Sequence, residues 1–253
     1  MHLVECPKYQ NPLISERPTA DPTIWDGGNG YYYLWYTGNV NSNAIIPLYR
    51  SKDLITWQTA GSILSQGARD EIQRLGDALE SVTHNCWAPE IIKIGNKWNL
   101  YLSLNKYYMM VFTSTSPTGN FSFEKVLIDE NTKVGNNQIG LSGNIDPCVR
   151  KDEDGKLWMF WGSMNGIWRV ELSSDGLNLA DNATRTHVAG SNWNDTGSRN
   201  NIFEGAYLYK RKNWWYLFVS SGNYASNYRL RVGRSATLSG DFKDINDISL
   251  TRA

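Results

Sequence analysis

The sequence has no excess of charge of either sign and no long hydrophobic run. Its 25 Lys and Arg residues balance its 25 Asp and Glu residues. A neutral chain has no general attraction for phosphate backbones or anionic membranes, which argues against nucleic acid and membrane surfaces as partners. The longest apolar runs, such as residues 214–219, are six residues long. A membrane helix needs about 20 apolar residues, so we expect no membrane-spanning segment.

Cysteine is also scarce. Cys6, Cys86 and Cys148 are odd in number, widely spaced and without a C-x-x-C pair. This pattern does not fit a disulfide framework or a structural zinc site. His84 and Cys86 form an H-x-C motif, but no second pair completes a metal site. The sequence therefore predicts no metal-binding cluster.

Aromatic residues are abundant, with 11 Trp and 14 Tyr, and the sequence has 22 Gly but few helical patterns. This composition favours an all-β fold of short strands. Four segments share one plan, in which a short strand, a polar turn, an aromatic strand and a third strand follow one another. They begin near residues 20, 87, 145 and 203. Repeats of about 58 residues that hold about four strands are typical of a β-propeller, whose first strands line the axis.

Acidic residues fall at one position in three of the four aligned repeats. The position holds Asp21, Ala88, Asp146 and Glu204, at separations of 67, 58 and 58 residues. We expect the three acids to meet in one axial cavity, because equivalent positions of the first strands lie at one depth. Glycoside hydrolysis requires two carboxyl groups close together, one protonated and one ionised. Turn capping is the structural alternative for each acid.

The longer first interval contains residues 69–80, where Ile72, Leu75 and Leu79 recur at helical spacing and predict a short helix. We expect residues 1–253 to form a single β-propeller domain. Either the ring has four blades or a fifth is missing from this chain, and residues 1–18 are a candidate closing strand. An open ring exposes two inter-blade faces, which a second copy or a further segment would have to cover.

The repeat motifs together resemble glycoside hydrolase family 43, the five-bladed propeller arabinanases, arabinofuranosidases and xylosidases. The resemblance runs from about Pro18 to Phe242. It is carried by ADPTI, WAPE, IDP with DEDGKLWMFWGS, FEG with WWYLFVSSG, and YRLRVGRSATLSG. It implies an all-β propeller of the five-bladed type with the fifth blade absent or incomplete. The GSMNGIWRVEL and VGRS stretches are closer to the arabinanase-like branch than to the xylosidases.

The resemblance implies an inverting hydrolase of arabinose- or xylose-containing plant polysaccharides. Asp21 matches the general base, Glu204 the general acid, and Asp146 the aspartate that orients the acid and keeps it protonated. An inverting site needs room for water, so the Asp21 and Glu204 carboxyls should lie roughly 6.5–9.5 Å apart. This sequence departs from the family pattern at two positions, where relatives often have proline and this chain has Ala206 and Asp241. Both departures are mild, because neither removes a charged group.

Four further residues are candidates for substrate binding. Trp87 matches a tryptophan that borders the sugar pocket, with a core position between blades as the alternative. Asn144 and Ser163 either hydrogen-bond sugar hydroxyls or close turns. Trp193 lies in the polar loop 191–201 and either stacks on a sugar or anchors the loop.

No cofactor is expected to be required. The resemblance leaves open a structural calcium ion near the axis, although nothing here matches the Gly-His segment that holds it in relatives. Carbohydrate is the expected partner. The expected location is the periplasm or the exterior of a bacterium after removal of a signal peptide, with the cytoplasm as the alternative; residues 1–10 lack a signal-peptide profile. The rival functions are a carbohydrate-binding propeller without catalysis and a retaining fructan hydrolase of the related clan.

Overall fold

A computed structural model describes residues 11–14, 20–39, 47–79, 84–164, 166–190, 202–223 and 225–252. Antiparallel β-sheets dominate these residues, as the aromatic and Gly-rich composition predicts. None of the helices in the described ranges combines the length and apolarity that crossing a bilayer would require.

Four sheets form the blades of a propeller. Blade 1 contains β1 (Thr23–Asp26), β2 (Tyr32–Trp35), β4 (Pro47–Ser51) and β5 (Gln58–Ser62). Blade 2 contains β3 (Gly38–Asn39), β6 (Asn85–Ile94), β7 (Lys97–Leu104), β8 (Tyr108–Ser114) and β9 (Ser122–Ile128). Blade 3 contains β12 (Cys148–Lys151), β13 (Leu157–Trp161), β14 (Ile167–Leu172) and β15 (Thr186–Ala189). Blade 4 contains β16 (Phe203–Arg211), β17 (Trp214–Ser221) and β18 (Arg229–Ser235).

The remaining elements are small. A helix, α1 (Gln66–Ala78), separates blades 1 and 2, and a two-stranded ribbon of β10 (Lys133–Val134) and β11 (Asn137–Gln138) precedes blade 3. A 3₁₀ helix, Leu250–Arg252, ends the described chain. The four-bladed arrangement begins each blade near the four repeat starts, which confirms the repeats.

The first strand of each blade lies on the propeller axis. Strand β1 contacts β6, β6 contacts β12, and β12 contacts β16. Apolar side chains fill the space between successive blades, with Trp35 and Phe112 between blades 1 and 2, Trp161 between blades 2 and 3, and Phe160 between blades 3 and 4. Burial of these faces is what holds the first strands at fixed positions around the axis.

Helix α1 confirms the predicted helical insertion and begins three residues before residue 69. Ser65 caps it by accepting a hydrogen bond from the Ala68 N–H at 3.2 Å. Ile72 and Leu75 are buried against blades 1 and 2. Leu79, the third residue of the predicted spacing, is the C-cap.

The outward face of blade 4 is open to solvent. Tyr209 is 54% exposed, Leu230 68% and Val232 38%, and all three lie on the side of the sheet that faces away from blade 3. The corresponding faces between the other blades are buried. The open face agrees with the expectation that a ring of four blades leaves an inter-blade face uncovered.

The repeat alignment was wrong by one residue in the fourth repeat. One residue at or near the start of the first strand of each blade has a left-handed backbone, with φ of 51° at Asp21, 43° at Ala88, 58° at Asp146 and 65° at Gly205. Glu204 precedes that position. Its partner in the sheet is Ser220, just as Trp87 pairs with Ser103, and both strands shift register directly afterwards. Glu204 is therefore equivalent to Trp87.

Cys86 and Cys148 are free and buried. Burial raises the pKa of each thiol to about 12, so both remain protonated. Cys6 lies outside the described residues.

Candidate active site

A cavity of about 720 Å³ runs along the axis between the first strands of all four blades. At one level it is lined by the four left-handed residues, Asp21, Ala88, Asp146 and Gly205. Further along the same strands it is lined by Glu90, Arg150 and Tyr207. The cavity thus has a carboxylate end and, two to four residues along each strand, an ion-pair end.

Asp21 is exposed at the carboxylate end. Its Oδ2 accepts a hydrogen bond of 2.6 Å from the Thr37 hydroxyl, which lies just after β2. The Thr37 oxygen in turn accepts the N–H of Ala88 at 3.0 Å. This chain fixes the orientation of the Asp21 carboxylate across the boundary between blades 1 and 2 and leaves its other oxygen for a ligand or water.

Asp146 is a strongly perturbed carboxyl of the cavity. Burial raises its pKa to about 7, the negative charges of Asp21 and Glu204 add to the rise, and the N–H of Gly205 opposes it. That N–H donates to Asp146 Oδ2 at 2.9 Å. Because like charges act over short distances in a buried site, the effect on Asp146 indicates that the carboxyls of Asp21 and Glu204 both lie near it.

Glu204 lies in β16 with both carboxyl oxygens occupied by hydroxyl groups. Ser163, in the turn after β13, donates to Oε2 at 2.7 Å. Tyr228, in the turn before β18, donates to Oε1 at 2.7 Å. The register of Glu204, one residue before Gly205, is what lets blades 3 and 4 both reach its carboxyl group.

The ion-pair end is organised differently. Arg150 Nη1 pairs with Glu90 Oε1, and Arg150 Nε donates to the Leu208 carbonyl at 2.9 Å. The guanidinium also lies 4.9 Å from the centre of the Tyr207 ring. Burial outweighs the neighbouring positive charge and raises the pKa of Glu90. Every charge at this end has a partner of opposite sign.

Each predicted binding residue occupies a different setting. Asn144 is fully buried, and its side-chain amide forms hydrogen bonds with Leu141, Tyr107 and Trp161. These contacts favour the turn-closing alternative. Ser163 is buried and contacts Glu204. Trp87 is half-buried in β6 and its sugar contact stays a prediction. Trp193 lies outside the described residues.

Thr37 and Tyr228 were not identified from the sequence. A signal existed for Thr37, because a hydroxyl residue follows the aromatic second strand in the first and third repeats, at Thr37 and Ser163. Tyr228 lies in the turn between the second and third strands of blade 4, which is longer than the equivalent turn of blades 2 and 3, so the repeat alignment did not identify it.

The structural calcium ion that the resemblance left open stays a prediction. Within the described ranges, no three or more His, Cys, Asp or Glu side chains are grouped so that they would hold a metal ion.

Comparison with known proteins agrees with this geometry. The model of glycosyl hydrolases family 43 matches residues 9–252. A probable arabinan endo-1,5-alpha-L-arabinosidase A of Aspergillus flavus is 26% identical over 249 residues, which cover 91% of this chain and 70% of the relative.

Solved structures share the fold. Native Bacillus subtilis arabinanase superposes with a TM-score of 0.74 at 23% identity, covering 94% of this chain and 80% of the other. Cellvibrio cellulosa alpha-L-arabinanase, in its complex with arabinohexaose, gives a TM-score of 0.71 at 21% identity, covering 94% and 76%.

Proposed function

The chain belongs to glycosyl hydrolases family 43, and from that premise we propose that it hydrolyses arabinan with inversion at the anomeric carbon. Asp21 is the general base, Glu204 the general acid and Asp146 a positioning residue between them. The names of the arabinan-cleaving relative and the arabinanase structures support the substrate class.

One observation carries the proposal. Asp21 and Asp146, from blades 1 and 3, line one end of the axial cavity, and the negative charges of Asp21 and of Glu204, from blade 4, both contribute to the raised pKa of Asp146. Two acids and no cation are what glycoside hydrolysis uses, since one carboxyl must give a proton while the other takes one. A binding site for neutral sugars has no need of such a cluster.

Asp21 is suited to activate water. One of its oxygens is fixed by Thr37, and the carboxylate is exposed to the cavity. A water bound to the second oxygen would lose its proton to Asp21 as it attacks the anomeric carbon. The fixed orientation matters, because the attacking water must lie opposite the departing oxygen.

Glu204 is suited to protonate that departing oxygen. Asp146 acts on it in two ways. Its Oδ2 holds the N–H of Gly205 and so fixes the backbone immediately after Glu204. When it is ionised, its negative charge favours retention of the proton by Glu204.

The direct test is release of reducing sugar from linear 1,5-arabinan, arabinoxylan, aryl arabinofuranosides and levan. Cleavage of arabinan is the expected result. Binding of arabino-oligosaccharide without any product would support the non-catalytic propeller, and cleavage of arabinoxylan alone would move the substrate to xylan.

Inversion is tested by following the anomer of the first-formed product by ¹H NMR. The β-anomer from an α-linked substrate supports a water attack assisted by Asp21. A product that retains its configuration would favour the fructan-hydrolase type of mechanism, in which an aspartate forms a covalent intermediate. A periplasmic or extracellular location fits a polymeric substrate and stays a prediction.

A further inference from the structure

The two hydroxyl groups that hold Glu204 differ in how freely they can move. Ser163 is 5% exposed, whereas Tyr228 is 45% exposed. Ser163 lies in the turn between β13 and β14, and Tyr228 lies in a surface turn of residues 225–228. The contact at Oε2 is therefore made by a buried side chain, and the contact at Oε1 by a side chain that is nearly half exposed to solvent.

A general acid must present one oxygen, with its proton, to the leaving group of the substrate. A substrate cannot reach Oε2 without displacing a buried serine. It reaches Oε1 by displacing a half-exposed phenol. The geometry thus selects Oε1 as the reacting oxygen and Tyr228 as the group that must give way.

Resting on the proposed function, we propose that Tyr228 is a positioning residue for Glu204. In the free enzyme the Tyr228 phenol donates a hydrogen bond to Oε1 while Ser163 donates to Oε2, and together they fix the orientation of the Glu204 carboxyl group. The hydrogen bond from the phenol also stabilises the ionised form of Glu204. The leaving oxygen of a bound substrate then takes the place of the phenol at Oε1.

The phenol can play this part because it stays a neutral donor. Burial raises the pKa of Tyr228, and the nearby negative charges of Glu204 and Asp146 add to that rise. A hydrogen bond donated to a carboxylate stabilises the ionised form relative to the protonated form. Removing the phenol oxygen should therefore make Glu204 keep its proton to higher pH.

The variant Tyr228→Phe tests this. We expect the basic limb of the kcat/KM profile on arabinan to move upward by roughly one to two pH units, the equivalent of one hydrogen bond to a charged group. KM should not rise, because the substrate no longer displaces a phenol. With 4-nitrophenyl α-L-arabinofuranoside the shift should disappear, because that leaving group departs without protonation.

Tyr209→Phe is the matched control. Tyr209 lies five residues from Glu204 in the same strand, exposed on the open face of blade 4, and has no contact with the carboxyl group in the described structure. Its profile should equal that of the wild type. An unchanged basic limb in Tyr228→Phe, or an equal shift in both variants, overturns the proposal.

Titration of the Glu204 carboxyl by ¹³C NMR separates this proposal from the proposed function. If the wild type cleaves no substrate, the function fails, while an upward shift of the Glu204 midpoint in Tyr228→Phe but not in Tyr209→Phe still supports the contact. If the wild type cleaves arabinan and the midpoint is the same in all three proteins, the function stands and the role of Tyr228 is refuted.

Discussion

The two ends of the axial cavity treat charge in opposite ways. At the ion-pair end, Glu90 lies against the guanidinium of Arg150, and both are largely buried. At the carboxylate end, Asp21, Asp146 and Glu204 are held by hydroxyl groups and one backbone N–H. Across the described part of the chain, no Lys, Arg or His forms an ion pair with any of these three acids.

This difference separates a structural from a functional use of buried charge. A buried carboxylate with a bound guanidinium fixes two blades against each other. Carboxylates placed together without a cation oppose folding, and the unfavourable energy is offset elsewhere in the fold. The second arrangement marks the reactive end of a cavity that runs between all four blades.

The largest expected effect of a substitution at either end is the loss of activity on replacing the proposed general acid, Glu204. Glu204→Gln keeps the hydrogen-bonding shape but carries no proton for the leaving oxygen. We expect kcat/KM on arabinan to fall by roughly 10³-fold, within the range for loss of an acid or base, while the melting temperature stays equal or rises. Asp21→Asn should behave likewise.

The matched control is Glu171→Gln, at a surface carboxylate that pairs with Lys156 at 3.0 Å. It should retain full activity. Retention of most activity by Glu204→Gln would contradict the role of Glu204, and an equal loss in the control would indicate a general effect on folding.

At the ion-pair end the expected loss is of stability. Arg150→Met leaves Glu90 buried without its cation, which should lower the free energy of unfolding by roughly 3–5 kcal/mol. Glu90→Gln combined with Arg150→Met should recover most of that loss, because no unpaired charge remains. Urea unfolding of the three proteins measures both effects. If the double variant is as unstable as the single one, the pair acts through packing and not through charge.

The pH dependence of stability tests the carboxylate end. Because the pKa of Asp146 is raised to about 7 from an ordinary 3.8, the folded state binds the proton more tightly than the unfolded state. Its contribution to stability is full below pH 3.8 and is lost as pH rises to 7. Asp146→Asn removes this loss. At pH 8.5 we expect the variant to be more stable than the wild type by about 4 kcal/mol, and at pH 4 nearly equal.

Unfolding in urea at the two pH values makes that measurement, with Asp181→Asn at an exposed turn as the control. A difference that is the same at pH 4 and pH 8.5 would mean that ionisation of Asp146 does not oppose folding.

The repeats made the fold predictable, and with it the meeting of the three acids. Short strands recur near residues 20, 87, 145 and 203, so the propeller and its axis followed from spacing. The helical insertion followed from the apolar spacing of Ile72 and Leu75. These features depend on periodic patterns, which are local properties of the sequence.

The details of the site depend on backbone conformation and on single turns, which the periodic patterns do not contain. Aligning the repeats by their acidic residues placed Glu204 at the position of Asp146, whereas the left-handed backbone shows that Gly205 occupies the equivalent position. The Pro that follows Asp21, Ala88 and Asp146, with Ala206 in the fourth repeat, was the better marker. Tyr228 reaches Glu204 from a turn that is longer in blade 4 than its equivalents in blades 2 and 3.

The smallest predicted effect is at Ala88, at the same level of the cavity as Asp21 and Asp146. Ala88 occupies the left-handed position of blade 2, at φ of 43°, and it lines the cavity two residues before Glu90. An L-residue with a side chain loses roughly 1–2 kcal/mol in this conformation. Glycine removes that strain but loses roughly 0.5–1 kcal/mol of chain entropy on folding. Blade 4 already uses glycine at the same position, Gly205.

Ala88→Gly should therefore raise the free energy of unfolding by about 0.5–1 kcal/mol. Its N–H still donates to Thr37, so the orientation of Asp21 and the activity should not change. Ala206→Gly, one residue after the left-handed position of blade 4, is the control and should lower stability, because Ala206 is not among the residues with positive φ. Destabilisation by Ala88→Gly would mean that packing of the Ala88 methyl group contributes more free energy than the left-handed backbone costs. The left-handed position would then be one that all four blades adopt without net strain.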